Sequence, residues 1–360
     1  MSNLIADLEF QKEILPGVSR TFALTIPQLP PQIQDAVANA YLLCRIADTI
    51  EDTTLLSIEQ KQAFHQQFIK VVCAEECASN FAQELASALE GYSHQDELKL
   101  IANSTKVINI THSFTTNQRK ALERCVKIMS EGMEFFERQE EPSADKEPSA
   151  DKESSSKQDN SYGVATMQDM DKYCYYVAGV VGEMLTDLFC DYSTEIEAKR
   201  EDLSKLAVSF GQGLQMTNIL KDIWDDQERD TCWLPRDIFS KHDFDLSRLK
   251  SNDLNAGFEK GLEELLAIAH HHLDNALKYT LLIPKQEVGI RRFCLWAIGM
   301  AVLTLRKLSN NKKFSDSNQV KISRNSVKAT IAISNICVKQ DAILKLLFSL
   351  VSRGIPQDKS

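Results

Sequence analysis

Residues 32–53 read QIQDAVANAYLLCRIADTIEDT. Ala36, Val37, Ala38, Ala40, Leu42, Leu43, Cys44, Ile46, Ala47 and Ile50 make this stretch apolar or small nearly all round, the pattern of a buried helix. Pro30 and Pro31 precede it, as suits a helix N-terminus. Against that background Tyr41, Arg45, Asp48 and Asp52 recur at i, i+4, i+7 and i+11, which places them on one face. A polar stripe on a buried helix must face something polar. Two carboxylates one turn apart repel by about 0.2–0.5 kcal/mol when exposed, and by more in a low-dielectric interior unless a cation lies between them.

Residues 203–226, LSKLAVSFGQGLQMTNILKDIWDD, repeat the arrangement. Gln215, Asn218, Asp222 and Asp226 share a face, with Asp225 beside them, while Phe210, Leu214, Met216, Ile219, Leu220, Ile223 and Trp224 keep the rest core-like. One such stripe reads as an ordinary solvated face. Two of them on buried helices read as opposite walls of an acidic cavity. Carboxylates and an amide carbonyl are hard donors suited to Mg²⁺, which binds through one or two carboxylates plus substrate phosphate oxygens. The chemistry indicated is the clamping of a diphosphate as its C–O bond ionises.

The rest of the 360-residue chain agrees with a helical reading. Gly (13) and Pro (9) are scarce, and no alternating pattern of strand length competes. Ser57–Gln60 and Thr166–Asp169 are capping-box patterns. Helices are expected from Ser57, over 79–91, 95–110 and 116–138, from Thr166 to about 190, and over 255–281, 286–309 and 325–352. Residues 140–161 carry the tandem hexapeptide EPSADK and no large apolar side chain, so they are expected to be a disordered insertion in a single all-α domain. A net charge of −10 argues against nucleic-acid binding, which needs a clustered cationic surface. Nine scattered cysteines without a CxxC pair, and a first segment MSNLIADLEFQKE without an apolar core, lead to an expectation of reduced thiols and a cytoplasmic location. No run is read as approaching the roughly 20 apolar residues of a spanning helix. Any membrane association is expected to be peripheral, through the C-terminal helix. His270–His272 are adjacent on a helix and point about 100° apart, so they are not read as one metal site.

These residues resemble the squalene/phytoene synthase family. Asp48-Thr-Ile-Glu-Asp52 and Asn218-Ile-Leu-Lys-Asp222-Ile-Trp-Asp-Asp226 look like its two aspartate-rich motifs. Ser19-Arg20-Thr21-Phe22, Asp171-Lys-Tyr173-Cys-Tyr-Tyr-Val-Ala-Gly179 and Trp233-Leu-Pro235 match its other signatures in order, over roughly residues 15–325. The resemblance implies an all-α, class I isoprenoid synthase fold around a central cavity. It implies Mg²⁺ on Asp48, Asp52, Asn218, Asp222 and Asp226, with Ser19, Arg20, Phe22, Arg45, Gln215, Asn218, Lys221 and Arg229 around the substrate. Tyr41 and Tyr173 match active-site tyrosines, Tyr173 being the candidate for a proton relay or cation stabilisation. Two departures stand out: Lys221 replaces a usual Arg, keeping charge but losing the planar fork, and Thr231 fills a slot often held by Arg while Arg229 lies two residues earlier. The reaction implied is head-to-head joining of two farnesyl diphosphates by a monomer. The tyrosine motif is closest to the NADPH-using, squalene-forming branch, and Gln319-Val-Lys-Ile-Ser-Arg324 resembles that branch's NADPH-phosphate segment, giving Lys321 and Arg324 as cofactor candidates. A solvated basic patch is the other reading of that segment. An NADPH-independent synthase giving presqualene diphosphate, dehydrosqualene or phytoene is the alternative activity, and an inactive helical scaffold binding prenyl lipid is the alternative of another class.

Overall fold

The computed structural model describes residues 2–19, 21–140, 162–251 and 253–357. Arg20 and residues 141–161, which hold the EPSADK repeat, lie outside the described residues. Among the described residues the named elements are all helical, and Val164 and Pro235 form an isolated β-bridge. The first half contains α1 (Ser2–Val18), α2 (Phe22–Thr25), α3 (Pro31–Asp52), α4 (Ile58–Val72), α5 (Ala78–Ala88), α6 (Gln95–Ala102), α7 (Ser104–Ser113) and α8 (Thr116–Glu140). The second half contains α9 (Met167–Cys174), a π-helical turn Tyr175–Gly179, α10 (Val180–Tyr192), α11 (Thr194–Glu197), α12 (Arg200–Lys221) and α13 (Ile223–Glu228). It closes with α14 (Arg236–Ser240), α15 (Ala256–Leu282), α16 (Val288–Asn310), α17 (Arg324–Cys337) and α18 (Asp341–Val351).

One buried apolar cluster runs from Phe10 to Ile355. Both capping boxes form: Ser57 Oγ accepts from the Gln60 amide and Gln60 answers, and Thr166 and Asp169 do the same. The all-round apolar reading of α3 is borne out by twelve buried residues, from Ile33 to Ile50. The three histidines diverge, His270 to Ser352 and His272 to Ser209.

The structure also departs from the expected elements. Residues 95–110 are two helices that meet at Asn103, and 325–352 is broken after Cys337. The second break has a chemical cause. The fully buried Arg291 needs an anion, and Asp341 in the first turn of α18 supplies it at 2.5 Å, with Lys285 at 3.2 Å. The expected helix to Asp226 bends at Asp222, where φ is −100° and ψ 13°. Helix α1, whose Phe10, Ile14, Leu15 and Val18 are buried, is not among the expected elements, and it runs on through Pro16-Gly17, a pair that ordinarily marks a stop. One helix, α16, is long and apolar enough to cross a membrane, with a mean hydropathy of 1.6. That contradicts the expectation that no such run exists. In the fold 72% of that window is buried, mainly against α12 and α15, so core packing accounts for its apolarity.

Helix α12 organises the second half, running along α15, α10, α16 and the π-helical turn. Its approach to that turn is as close as backbones allow. A Cβ at Gly211 would lie 2.0 Å from the Ala178 carbonyl oxygen, and one at Gly182 of α10 would lie 2.0 Å from that of Ala207. Neither neighbour is a side-chain end that can swing aside. Gly211→Ala is therefore expected to force the helices apart and to destabilise the fold by about 1–3 kcal/mol, read as a fall in the urea midpoint at an unchanged m-value.

Candidate active site

A cleft opens between α2, α3, the π-helical turn with α10, α12 and α16. Its body is apolar, built from residues such as Val37, Val181, Leu214 and Phe293, and its mouth carries Tyr41, Arg45, Asp48 and Gln215. Helix periodicity does this directly, because the stripe read from sequence is the one face of α3 turned away from the core. Ser19 Oγ accepts from the Phe22 amide at 3.0 Å, seating the Phe22 ring 5.1 Å from Tyr41 at the cleft wall. Tyr41 Oη donates to the Val18 carbonyl at 2.9 Å and accepts from Arg45 at 3.2 Å. Arg45 lies 3.8 Å from both Asp48 and Glu97.

The two acidic segments face each other. Arg229 joins them, reaching Asp52 Oδ1 of α3 at 3.1 Å and Asp226 Oδ1 of α13 at 2.6 Å. The Thr231 backbone amide donates to the Asp226 carbonyl at 3.0 Å, which leaves Arg229 as the side chain that spans the two acids. Lys221 lies 2.8 Å from Asp222 Oδ2. Asn218 is exposed one turn earlier, and its carbonyl accepts from the Asp222 amide at 2.9 Å. Helix geometry separates the neighbouring acids of α13: Asp225 turns away to accept from Ser317 Oγ at 2.7 Å, and Asp226 turns inward.

The electrostatics show a site short of positive charge. Burial pushes Asp48 up to about 6; Arg45 opposes the shift, and Asp52 and Glu97 add to it. Burial also pushes Asp226 up to about 6 despite Arg229, and raises Asp222 despite Lys221. Among the described residues no three acidic, thiol or imidazole groups converge on one point. Carboxylates on opposite walls with raised proton affinity, spanned by a guanidinium as stand-in cation, are a donor set that fits Mg²⁺ shared with phosphate oxygens.

Tyr173 is buried beside the acids, its ring stacked on Trp233 with centroids 3.5 Å apart and Phe136 edge-on at 5.4 Å. Its hydroxyl is 3.5 Å from Glu51 Oε2. Burial and the nearby Glu51, Asp52 and Asp48 hold the phenol well above its ordinary pKa. Glu51 is itself raised well above the usual carboxylate range by burial and by Asp52 and Asp48. Sequence reasoning assigns no role to Glu51, Glu97 or Phe136. Glu51 lies inside the quoted motif and offers a signal there; Glu97 and Phe136 come from other helices and offer none. Lys321 lies close enough to Asp222 to favour its charged form, whereas Arg324 starts α17, exposed, and is not brought to the cleft.

Residues 15–326 match the family model described as squalene/phytoene synthase. The squalene synthase of Schizosaccharomyces pombe is 26% identical over 350 residues, covering 96% of this chain and 69% of that protein. Squalene synthase ERG9 of Candida albicans is 28% identical, covering 84% and 62%, and the squalene synthase of Nicotiana benthamiana is 30% identical, covering 84% and 64%. The chain thus spans about two thirds of the length of these relatives. The fold is that of TcSQS in complex with BPH1237, with a TM-score of 0.75, 23% identity and coverage of 99% and 94%. It is also that of a ligand-bound dehydrosqualene synthase, with a TM-score of 0.62, 19% identity and coverage of 96% and 99%.

If Arg229 is the cation that holds the acids together before metal arrives, Arg229→Gln lowers the metal-free melting temperature by about 1–3 °C. The same variant then shows a larger upward shift on addition of Mg²⁺ than the parent. Differential scanning fluorimetry with and without MgCl₂ checks both directions.

Proposed function

The chain belongs to the squalene/phytoene synthase family, and from that membership we propose that it joins two farnesyl diphosphates head to head and reduces the product to squalene. The observation that supports this most is the pair of acidic segments bridged by Arg229 at the mouth of an apolar cleft. Asp48, Asp52, Asn218, Asp222 and Asp226 would hold Mg²⁺, which when bound neutralises diphosphate oxygens and eases departure of the leaving group. Arg45, Lys221 and Arg229 stand where they can hold those oxygens directly, and Tyr41 and Gln215 line the same mouth. The apolar walls keep water from the allylic cation formed on ionisation. Tyr173, Trp233 and Phe136 present aromatic faces beside the acids, an arrangement that stabilises positive charge. When the first coupling closes a cyclopropane it releases a proton. Tyr173 Oη, 3.5 Å from Glu51 Oε2, has an acceptor behind it for that proton. Lys321, exposed and near Asp222, would offer positive charge to the phosphates of NADPH, which supplies hydride when bound.

Peripheral contact with an anionic bilayer accords with releasing an apolar product. Helices α17 and α18 expose Ile333, Ile336 (75% exposed), Ile343 and Leu346 among Lys328, Lys339, Lys345 and Arg353, the combination that adsorbs to such a surface. The double variant Ile336→Glu with Leu346→Glu is expected to lose co-flotation with anionic vesicles while keeping its activity in detergent.

Incubation with farnesyl diphosphate and Mg²⁺ should yield squalene only when NADPH is added. Presqualene diphosphate or dehydrosqualene accumulating with NADPH present would reassign the chain to the cofactor-independent branch. Asp222→Asn should lower turnover by at least about 100-fold, measured as release of diphosphate.

A further inference from the structure

We propose that Lys61 is a positioning residue for the first acidic wall, fixing the end of α3 and with it the places of Asp48 and Asp52. The inference rests on the reading of that wall as one side of a clamp for Mg²⁺ and diphosphate. The last carbonyls of a helix have no partner within it, so a helix end frays unless something else holds it. Asp48 and Asp52 stand in the final turns of α3, and Asp52 is its last residue. A loose end there would carry both acids away from Asp222 and Asp226 on the opposite wall. Lys61, the fourth residue of α4, reaches back and donates from its ammonium to the Glu51 carbonyl. A cation at that point also meets the negative end of the helix dipole.

The ammonium is itself held. Glu137 of α8 lies against it, Oε1 to Nζ at 3.5 Å, with the Lys61 and Glu137 side chains only 16% and 8% exposed. The neighbouring charges are engaged elsewhere. Glu134, one turn earlier on α8, accepts from Gln66 at 2.6 Å and has Arg138 at 3.5 Å. His65, one turn further along α4, is fully buried, and burial with Lys61 pushes it down to about 3, so it brings no charge. The link from α3 to α4 is short and tied. Thr53, which follows Asp52, is buried and accepts through Oγ1 from the Leu55 amide at 3.2 Å, and the Ser57–Gln60 capping box sets where α4 begins. Three helices therefore meet at one ammonium: α3 through a carbonyl, α4 through the lysine stem and α8 through a carboxylate. Moving that ammonium moves the backbone between Asp48 and Asp52. Glu137 also adjoins Phe136, whose ring packs edge-on to Tyr173, so the same junction registers α8 against the acids.

The test titrates Mg²⁺ into the full chain in the presence of inorganic diphosphate and follows the melting temperature. Groups that orient metal ligands from behind typically change metal affinity by about 10–100-fold when removed, so in Lys61→Met the Mg²⁺ concentration giving half the maximal shift should rise about tenfold or more. Lys61→Arg, which keeps the charge and a donor, should stay within about threefold of the parent. Phe68→Leu, which loosens the interior of α4 two turns away, should lower the melting temperature yet leave that Mg²⁺ midpoint within about twofold of the parent. Removing Lys61 alone takes a cation from the buried Glu137, which can be strongly destabilising. If Lys61→Met fails to fold, Lys61→Met with Glu137→Gln decides in the same way. A parental midpoint in a folded variant without Lys61, or an equal rise in Phe68→Leu, overturns the positioning role and leaves the clamp standing. A parent whose melting temperature responds neither to Mg²⁺ nor to Mg²⁺ with diphosphate refutes the clamp, and the positioning role with it.

Discussion

Arg229 spans the mouth of the cleft, from Asp52 on α3 to Asp226 on α13. Both helices are otherwise packed into the core, so their acids cannot retreat into solvent when the chain folds. Burying carboxylates on facing walls costs free energy unless positive charge comes with them. Arg45 and Lys221 make the same provision for Asp48 and Asp222. Even so, Asp48 and Asp226 stay pushed up to about 6 by burial. The fold thus holds an array of hard oxygen donors in an environment that favours further cations, which is the electrostatic condition for drawing in Mg²⁺ with an anionic substrate.

That electrostatic arrangement depends on a backbone constraint. Gly211 and Gly182 let α12 meet the π-helical turn and α10 without intervening side chains. The close approach brings Val177, Ala178 and Val181 to the cleft wall opposite α3, while Tyr173 just before the turn faces Glu51. A π turn inserted in an otherwise continuous helix shifts the register of the residues C-terminal to it. Tyr173 and Leu185 can then both face the substrate path from different heights, one at the acids and the other at the floor.

The two acids that follow the bend at Asp222 serve the mouth differently. Asp225 and Asp226 are adjacent on α13 and so point about 100° apart. Asp225 meets Ser317, fastening the segment that carries Lys321, and Asp226 meets Arg229. Two adjacent identical side chains thus take a structural and a site role, a distinction that arises from their partners.

Much of this was legible from periodicity. An apolar helix with one polar face has few places to go, so α3 and α12 announced both the all-α class and the acidic walls, and the capping boxes marked helix starts through purely local hydrogen bonds. Spacing placed Tyr41, Arg45, Asp48 and Gln215 at the cleft, and the family resemblance added Ser19, Phe22 and Tyr173 at or near it. Other features needed the tertiary structure. Glu97 meets Arg45, and Phe136 meets Tyr173, only because distant helices pack together. The break before α18 arises from the demand of a buried Arg291 for Asp341. The apolar walls of the cleft include Leu185, Phe210 and Phe293, which converge from three helices. Sequence alone determined which helix faces are apolar and which are acidic, because those depend only on spacing along one helix. Which faces meet, and how much room they leave, was decided by packing, because distance across a core is set by every side chain that fills it.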